Sequence, residues 1–150
     1  MTAKSDLKKI SRRLDFWSRL IVVDLLALIL PLLLLPIIKI VGFSEFIEDL
    51  VKALVVVFII LNFSKKSFQL WGAVSFGFLF ALSESILYLS NFWQLGNLSI
   101  FWQRLLWTAP MHVFTVLIIL YFSLLNKKLA VVGWVLALAV HLIFNWLISI

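Results

Sequence analysis

The chain has 150 residues, of which 64% are hydrophobic and 13% are charged, and its mean hydropathy is +1.14. Soluble domains are roughly half apolar and about a quarter charged, so this composition predicts an integral membrane protein. The absence of cysteine excludes disulfides, thiolate metal sites and a cysteine nucleophile. The net charge of +6 comes from basic residues at the ends of apolar runs, which indicates orientation in a membrane and no nucleic acid partner.

The first 19 residues are polar and basic, and their apolar residues recur at three- and four-residue spacing. This apolar side consists of Leu7, Ile10, Leu14 and Trp17, with Lys8, Lys9, Arg12 and Arg13 on the other side. Such a pattern is typical of an amphipathic helix that lies at the membrane surface. We therefore expect two regions, an interfacial cytoplasmic helix at 1–19 and a transmembrane domain at 20–150.

Five apolar runs follow, and each is close to the roughly 20 residues that a membrane-spanning helix needs. They cover residues 20–40, 45–63, 68–89, 104–125 and 129–150. Pro31 and Pro36 lie inside the first run, where prolines are expected to kink the helix. The aromatic segment 91–103 is predicted to be a loop at the membrane–water interface. The predicted fold class is an all-α membrane protein with five transmembrane helices and an N-terminal amphipathic helix.

The distribution of lysine and arginine predicts the orientation. With five spans, the basic N-terminal segment, Lys65-Lys66 and Lys127-Lys128 all fall on one side of the membrane. Cytoplasmic loops carry an excess of these residues, so that side is predicted to be cytoplasmic and the C-terminus extracytoplasmic. We expect a multi-pass protein of a prokaryotic cell membrane.

Four of the five predicted spans carry ionisable side chains at a similar depth. Such groups are costly in a membrane and are therefore functional candidates. With ~1.5 Å of rise per residue, Glu84 lies about 10 Å, His112 about 12 Å and His141 about 13 Å below the outer ends of their spans. Glu48 and Lys52 lie in the first turns of the second span, which begins on the outer side. Because unrelated polar residues would scatter in depth, the pattern predicts one cluster.

Each polar residue also has a purely structural interpretation. Glu48 and Lys52 are four residues apart and could form an intrahelical ion pair. A histidine in a membrane helix could serve simply as a hydrogen-bonding partner for a neighbouring helix. Asn145, four residues after His141, could do the same. We interpret Asp24, near the cytoplasmic end of the first span, as interfacial.

The predicted cluster has the groups that hydrolysis needs. A carboxylate beside an imidazole can take a proton from water and pass it to a leaving amine. A second histidine and an amide could hold an oxyanion. The same groups could instead bind Zn²⁺, which accepts histidine nitrogen and carboxylate oxygen. The sequence has no H-E-x-x-H or G-x-S-x-G motif and no paired intramembrane aspartates.

Four blocks of the sequence resemble the PrsW-type intramembrane proteases, relatives of the CAAX-processing and bacteriocin-processing (CPBP) membrane endopeptidases. The blocks are EDLVK at 48–52, GF at 77–78 with Glu84-Ser85 and Tyr88, RLLWTAPMHVFT at 104–115 and HLIFN at 141–145. The first resembles an E-E-x-x-K block, the second a G-F-x-x-x-E-N-x-x-Y block and the last an H-x-x-x-N block. Asp49 and Ser85 depart from the Glu and Asn of those patterns, and the spacing from Gly77 to Glu84 is longer.

The resemblance implies a membrane peptidase that cuts membrane-anchored proteins from a site facing the extracytoplasmic side. In that scheme Glu48 activates water with the help of His112, and Lys52 balances charge beside Asp49. Glu84, His141 and Asn145 complete the site by stabilising the oxyanion or by binding metal. A metal would be held by Glu84, His112 and His141, and a metal-free glutamate mechanism is equally compatible with the residues.

Two further functions are compatible with the sequence. One is a catalytically silent relative that binds a membrane segment as an adaptor or sensor. The other is a small proton-coupled carrier that uses Glu84 and the histidines as a relay, although a carrier would need polar residues in both halves of the membrane. The oligomeric state is open.

Overall fold

The computed structural model describes residues 3–89 and 98–148, and within these residues the chain is helical and has no strand. The five long helices are α1 (Ala3–Val41), α2 (Ser44–Asn62), α3 (Lys66–Leu87), α4 (Leu98–Leu125) and α5 (Ala130–Ile148). A short 3₁₀ turn, Lys127–Leu129, joins α4 to α5. The prediction of an all-helical fold is confirmed.

Four stretches of these helices are long and apolar enough to cross a membrane. They are Leu14–Val41, Lys66–Leu87, Phe101–Leu125 and Lys127–Ile148. The chain is therefore an integral membrane protein. Helix α2 is of similar length, but its first turns carry too many charged side chains for the same composition test. The count of five spans stays a prediction.

One predicted boundary differs from the structure, and a second, which stays a prediction, falls inside a continuous helix. Helix α1 continues without interruption through residue 19, so the expected interfacial segment and the first span form one helix. Phe16 already packs on the bundle, since its ring lies 4.1 Å from that of Phe68. The loop predicted at 91–103 was wrong for 98–103, which begin α4 because no Gly or Pro occurs there to oppose a helix. The rest of that loop lies outside the described residues.

The turns between helices are short. Gly42 and Phe43 join α1 to α2 with φ angles of 71° and 53°, both in the left-handed region. Glycine adopts this region freely, whereas Phe43 does so at a cost of about 1–2 kcal/mol. The turn between α4 and α5 is closed by the side chain of Asn126, which accepts a hydrogen bond from the Lys128 amide at 2.9 Å.

Helix α2 packs against all four other helices, while α3 packs between α1 and α4, and α5 packs on α4. The buried apolar core includes Val23, Ala27, Val56, Ile59, Phe76, Phe80, Val116 and Ala137. The opposite face of α2 is exposed and entirely apolar; it comprises Phe46, Leu50, Leu54, Val57 and Leu61. Helix α2 therefore presents its polar residues to the bundle and an apolar stripe to the surroundings.

A glycine sets the closest approach between α3 and α4. A Cβ atom at Gly77 would lie 2.7 Å from the Cα atom of Val113, a distance that real side chains do not tolerate. Gly72, one and a half turns earlier on α3, would place its Cβ 3.7 Å from side-chain atoms of Ile59 and Phe63, which is an ordinary contact. Small residues at such crossings let membrane helices approach closely.

We expect Gly77→Ala to lower the free energy of unfolding by about 1–3 kcal/mol, because the α3 and α4 backbones must move apart. Gly72→Ala is the matched control and should change it by no more than about 0.5 kcal/mol. The measurement is unfolding in mixed detergent micelles, followed by circular dichroism. Equal stability of the two variants would contradict the close packing described for Gly77.

Candidate functional site

All five helices contribute to a cleft of about 120 Å³. One side of the cleft is apolar and the other carries the polar residues that were singled out from the sequence. The polar lining consists of Ser44, Glu48, Glu84, Tyr88, Arg104, Thr108, His112, His141 and Asn145. Most of the ionisable groups predicted to share one depth therefore line one cavity.

Glu84 of α3 connects two residues of α4 through its two carboxylate oxygens. Its Oε2 lies 2.6 Å from Nε2 of His112, and its Oε1 accepts a hydrogen bond of 3.0 Å from Nη2 of Arg104. The Arg104 guanidinium also stacks 4.1 Å from the ring centre of Tyr88. A carboxylate between an imidazole and a guanidinium is held in one orientation, because charge-assisted hydrogen bonds are the stronger ones.

Glu48 of α2 faces the same pair. One ligand atom from each of Glu48, Glu84 and His112 can be chosen so that all three lie within 4.8 Å of one another. The other neighbour of Glu48 is His141, whose Nε2 lies 3.9 Å from Oε2 of Glu48. Two carboxylates and two imidazoles from four different helices thus meet in the cleft.

Asp49 and Lys52 lie directly behind this group and are completely buried. Oδ1 of Asp49 accepts a 2.6 Å hydrogen bond from Nζ of Lys52 and lies 3.3 Å from Nδ1 of His141. A hydrogen bond to one ring nitrogen fixes which nitrogen of a histidine carries the proton. Asp49 therefore favours the form of His141 that has a proton on Nδ1 and directs a free Nε2 toward Glu48.

Asn145 lines the cleft one turn beyond His141 and has a separate partner. Its amide Nδ2 donates a 2.9 Å hydrogen bond to Oε1 of Glu45, while Ser44 Oγ donates to Oε2 of Glu45 at 3.0 Å. These contacts join the end of α5 to the start of α2. The side-chain oxygen and the second amide proton of Asn145 are not used in this bond.

Local helix structure supports the position of His112. Thr115 Oγ1 donates to the His112 carbonyl at 3.0 Å, and Thr108 Oγ1 donates to the Arg104 carbonyl at 2.9 Å. The His112 ring packs 5.2 Å from the Phe80 ring and 5.5 Å from the His141 ring, measured between ring centres. Thr108 and Thr115 therefore bond to backbone carbonyls of their own helix on either side of His112.

One of the structural interpretations was wrong in its partner. Lys52 pairs with Asp49, three residues before it, and not with Glu48. Asp24 is half-buried and accepts a 2.5 Å hydrogen bond from Ser75 of α3, so it is a contact between helices.

Sequence reasoning missed Arg104 and Glu45 as members of the site. The sequence placed Arg104 at the start of the fourth span, whereas the helix that carries it starts six residues earlier, at Leu98. Glu45 was not considered, although its spacing of three residues from Glu48 places both on one helical face. The fact that Arg104 starts the RLLWTAPMHVFT block, eight residues before His112, was the available signal.

The donor set fits a divalent metal ion. Glu48, Glu84 and His112 supply oxygen and nitrogen donors from three helices at a mutual spacing within 4.8 Å, and carboxylate oxygen and imidazole nitrogen are ordinary zinc donors. Nε2 of His112 and Oε2 of Glu84 lie 2.6 Å apart, so two of the three donors already converge on one position. This set contains Glu48 in place of the His141 that the sequence suggested.

The family model described as PrsW family intramembrane metalloprotease matches residues 27–150. The match covers all four sequence blocks and every residue named above as part of the site. No curated protein and no solved structure matches the chain.

The buried pair behind the site leads to a stability prediction. Lys52→Met leaves the Asp49 carboxylate without its cation and should cost about 3–5 kcal/mol of unfolding free energy. The double variant Asp49→Asn/Lys52→Met removes both charges and should be more stable than Lys52→Met by at least about 1 kcal/mol. Unfolding in detergent micelles measures both. A double variant that is no more stable than the single one would show that Asp49 and Lys52 are not energetically coupled.

Proposed function

Since the chain belongs to the PrsW family of intramembrane metalloproteases, we propose that it is an endopeptidase that cuts membrane-anchored proteins in the extracytoplasmic half of the bilayer. The observation that carries this proposal is the meeting of Glu48, Glu84 and His112, from three helices, at one end of a common cleft. A cleft of this kind brings two carboxylates and an imidazole within reach of one water molecule and one peptide bond.

The proposed topology has five spans, with the N-terminus in the cytoplasm and the C-terminus outside. Helix α2 supplies the fifth span: its 19 residues extend about 28 Å, close to the hydrocarbon thickness. Its outward face is the apolar stripe from Phe46 to Leu61, which suits contact with lipid. The charged residues that disqualify α2 by composition lie away from this stripe: Glu48 lines the cleft, and Asp49 and Lys52 are buried behind it.

In the proposed mechanism Glu48 is the general base. Among the described residues, its carboxylate has no hydrogen bond shorter than the 3.9 Å contact with His141, so it is available to a water molecule. Glu48 takes a proton from the water as the oxygen attacks the peptide carbonyl, and later delivers that proton to the leaving amine. The proton balance is closed, because one proton is taken from water and the same one is given to the amine.

The other residues hold the reacting groups. His112, fixed by Glu84, helps to orient the water, and Glu84 is in turn held by Arg104. The free amide proton of Asn145 stabilises the developing oxyanion, and His141 joins it once its Nε2 carries a proton. Asp49 orients His141, and Lys52 balances the charge of Asp49.

We propose that Glu84, His112 and one oxygen of Glu48 hold the metal that the family description implies. Such a cation, when bound, acts as a Lewis acid toward the carbonyl and the water. The role of Asn145 in oxyanion binding is the same with or without it, and the oxygen of Glu48 that is not a ligand would remain for proton transfer. A kinship with the CPBP endopeptidases and a location in a prokaryotic cell membrane are hypotheses that accompany this proposal.

Glu48→Gln should lower the rate of cleavage of single-span test substrates by about 10²–10⁴-fold, since the amide cannot accept the proton. The change keeps the size of the side chain, so the unfolding midpoint should remain near that of the unaltered protein. The measurement is cleavage in reconstituted vesicles, followed by gel electrophoresis of the fragments.

Asp24→Asn is the matched control, because it also neutralises a half-buried carboxylate that bonds to another helix, away from the cleft. Its activity should stay within about threefold of the unaltered protein. Full activity of Glu48→Gln would remove Glu48 from the mechanism. If the unaltered protein cuts no member of a broad substrate panel, the catalytically silent adaptor becomes the better description.

We expect the purified protein to bind about one zinc ion per chain and to lose cleavage activity with a chelator. Glu84→Gln should reduce zinc affinity at least about tenfold, whereas Glu45→Gln, which alters a carboxylate outside the donor set, should retain it. Metal content by mass spectrometry after dialysis measures this directly. Chelator-resistant cleavage by metal-free protein would instead support a glutamate mechanism without metal.

A further inference from the structure

The apolar wall of the cleft comes largely from one segment of α1. This outer segment, Pro31–Val41, contributes Pro31, Leu34, Leu35 and Ile38 to the lining. Leu34 is 5% exposed and packs into the core, although it belongs to the half of α1 that is otherwise mostly exposed. The outer segment thus separates the polar side of the cleft from the bilayer.

The two halves of α1 are held to the bundle in different ways. Before Pro31, the described side chains give three polar contacts between α1 and its neighbours. Arg19 donates to the Asn62 carbonyl, Ser75 donates to Asp24, and Ser83 donates to the Leu28 carbonyl at 2.7 Å. Within the outer segment the only polar side chain is that of Lys39, which is exposed. Among the residues that the structure describes, the outer segment is therefore held to the other helices by apolar packing alone.

Apolar packing holds a membrane helix weakly, because lipid tails are as apolar as the leucines they would replace. Moving the outer segment outward would exchange leucine–protein contacts for leucine–lipid contacts without breaking a hydrogen bond to another helix. The same movement of the first half of α1 would break the hydrogen bonds that Asp24 and Leu28 accept from α3. Each polar group left unpaired in hydrocarbon costs free energy.

Two prolines weaken the helical hydrogen bonding of α1 where its hydrogen-bonded first half meets the apolar outer segment. Pro31 and Pro36 have no amide proton, so the carbonyls of Ala27 and Leu32 lack their usual helical partners. Bending in helices is concentrated at such positions. At its far end the outer segment meets the left-handed turn at Gly42 and Phe43, a second place where the chain direction can change.

We propose that the outer segment of α1 is a movable wall, which swings outward about Pro31 and Pro36 to admit a membrane-spanning segment of the substrate from the bilayer. The admitted partner is an apolar segment, since it must replace Leu34, Leu35 and Ile38 against the cleft. The inference rests on the proposed peptidase function for the identity of the partner, but the movement itself is a property of the fold.

The protein contains no cysteine, so a single introduced thiol can report on the movement without an assay of cleavage. Leu34→Cys places a thiol in the outer segment, and Val23→Cys places one in the first half of the same helix; both parent residues are buried, at 5% and 0% exposure. Labelling of the reconstituted protein by a membrane-permeable maleimide is compared with labelling of the same variant after denaturation.

A wall that is open in roughly 1–10% of molecules should make Leu34→Cys react about tenfold or more faster than Val23→Cys. Adding Pro31→Ala and Pro36→Ala restores the two helical hydrogen bonds and should slow Leu34→Cys at least about threefold, with no change for Val23→Cys. Equal rates at the two positions, or a Leu34→Cys rate that the proline replacements leave unchanged, would overturn the proposal.

A second measurement separates this inference from the peptidase function. Pro36→Ala changes an exposed residue that does not line the cleft. It should slow cleavage of a membrane-spanning substrate severalfold but leave cleavage of a short water-soluble peptide within about twofold. Equal slowing of both substrates would contradict a lateral wall. If the unaltered protein cuts neither substrate while the thiol rates differ as expected, the peptidase proposal fails and the movable wall stands.

Discussion

A charged side chain in a bilayer must find its partner within the protein, and the arrangement of this bundle follows from that constraint. Helix α2 carries Glu45, Glu48, Asp49 and Lys52 within its first turns. Lys52 and Asp49 satisfy each other at 2.6 Å, Asp49 reaches His141 of α5, and Glu45 accepts a bond from Asn145. These contacts draw α5 to α2, and they leave Glu48 as the carboxylate of this group that faces the cleft without a close hydrogen bond.

The same constraint explains how the cleft acquires two chemically different sides. Helices α3 and α4 approach closely at Gly77, which brings Glu84 beside His112 and Arg104. The side facing α1 has no polar group to satisfy, so it can be closed by leucines that are exchangeable with lipid. A polar site that is fixed by hydrogen bonds therefore adjoins a wall that is fixed only by packing. In the proposed peptidase, the first holds the reacting groups and the second gives access to them.

Much of this arrangement could be predicted from the sequence, because depth in a membrane can be counted along a helix. Counting from the ends of apolar runs placed Glu48, Glu84, His112 and His141 at one level, and the structure places all four on one cavity. The direction in which each side chain points around its helix axis could not be predicted by counting residues. By spacing alone, Lys52 could pair with Asp49, three residues before it, or with Glu48, four residues before it. The packing of α5, whose His141 contacts Asp49, favours Asp49. Arg104 was missed because an aromatic segment at an interface can be either loop or helix.

The orientation of α2 has a consequence for how the protein enters the membrane. A charged residue near the centre of an isolated helix adds about 2.5–3.5 kcal/mol to its insertion free energy, so α2 is a poor membrane helix by itself. Only the turn of Gly42 and Phe43 separates it from α1, which is long and apolar and is made before it. In the proposed topology, α1 and α2 are thus best inserted together as a hairpin, and the charged side chains of α2 gain their partners His141 and Asn145 only when α5 follows. The residues that equip the site for chemistry therefore make the synthesis of α5 a condition for a stable position of α2 in the membrane.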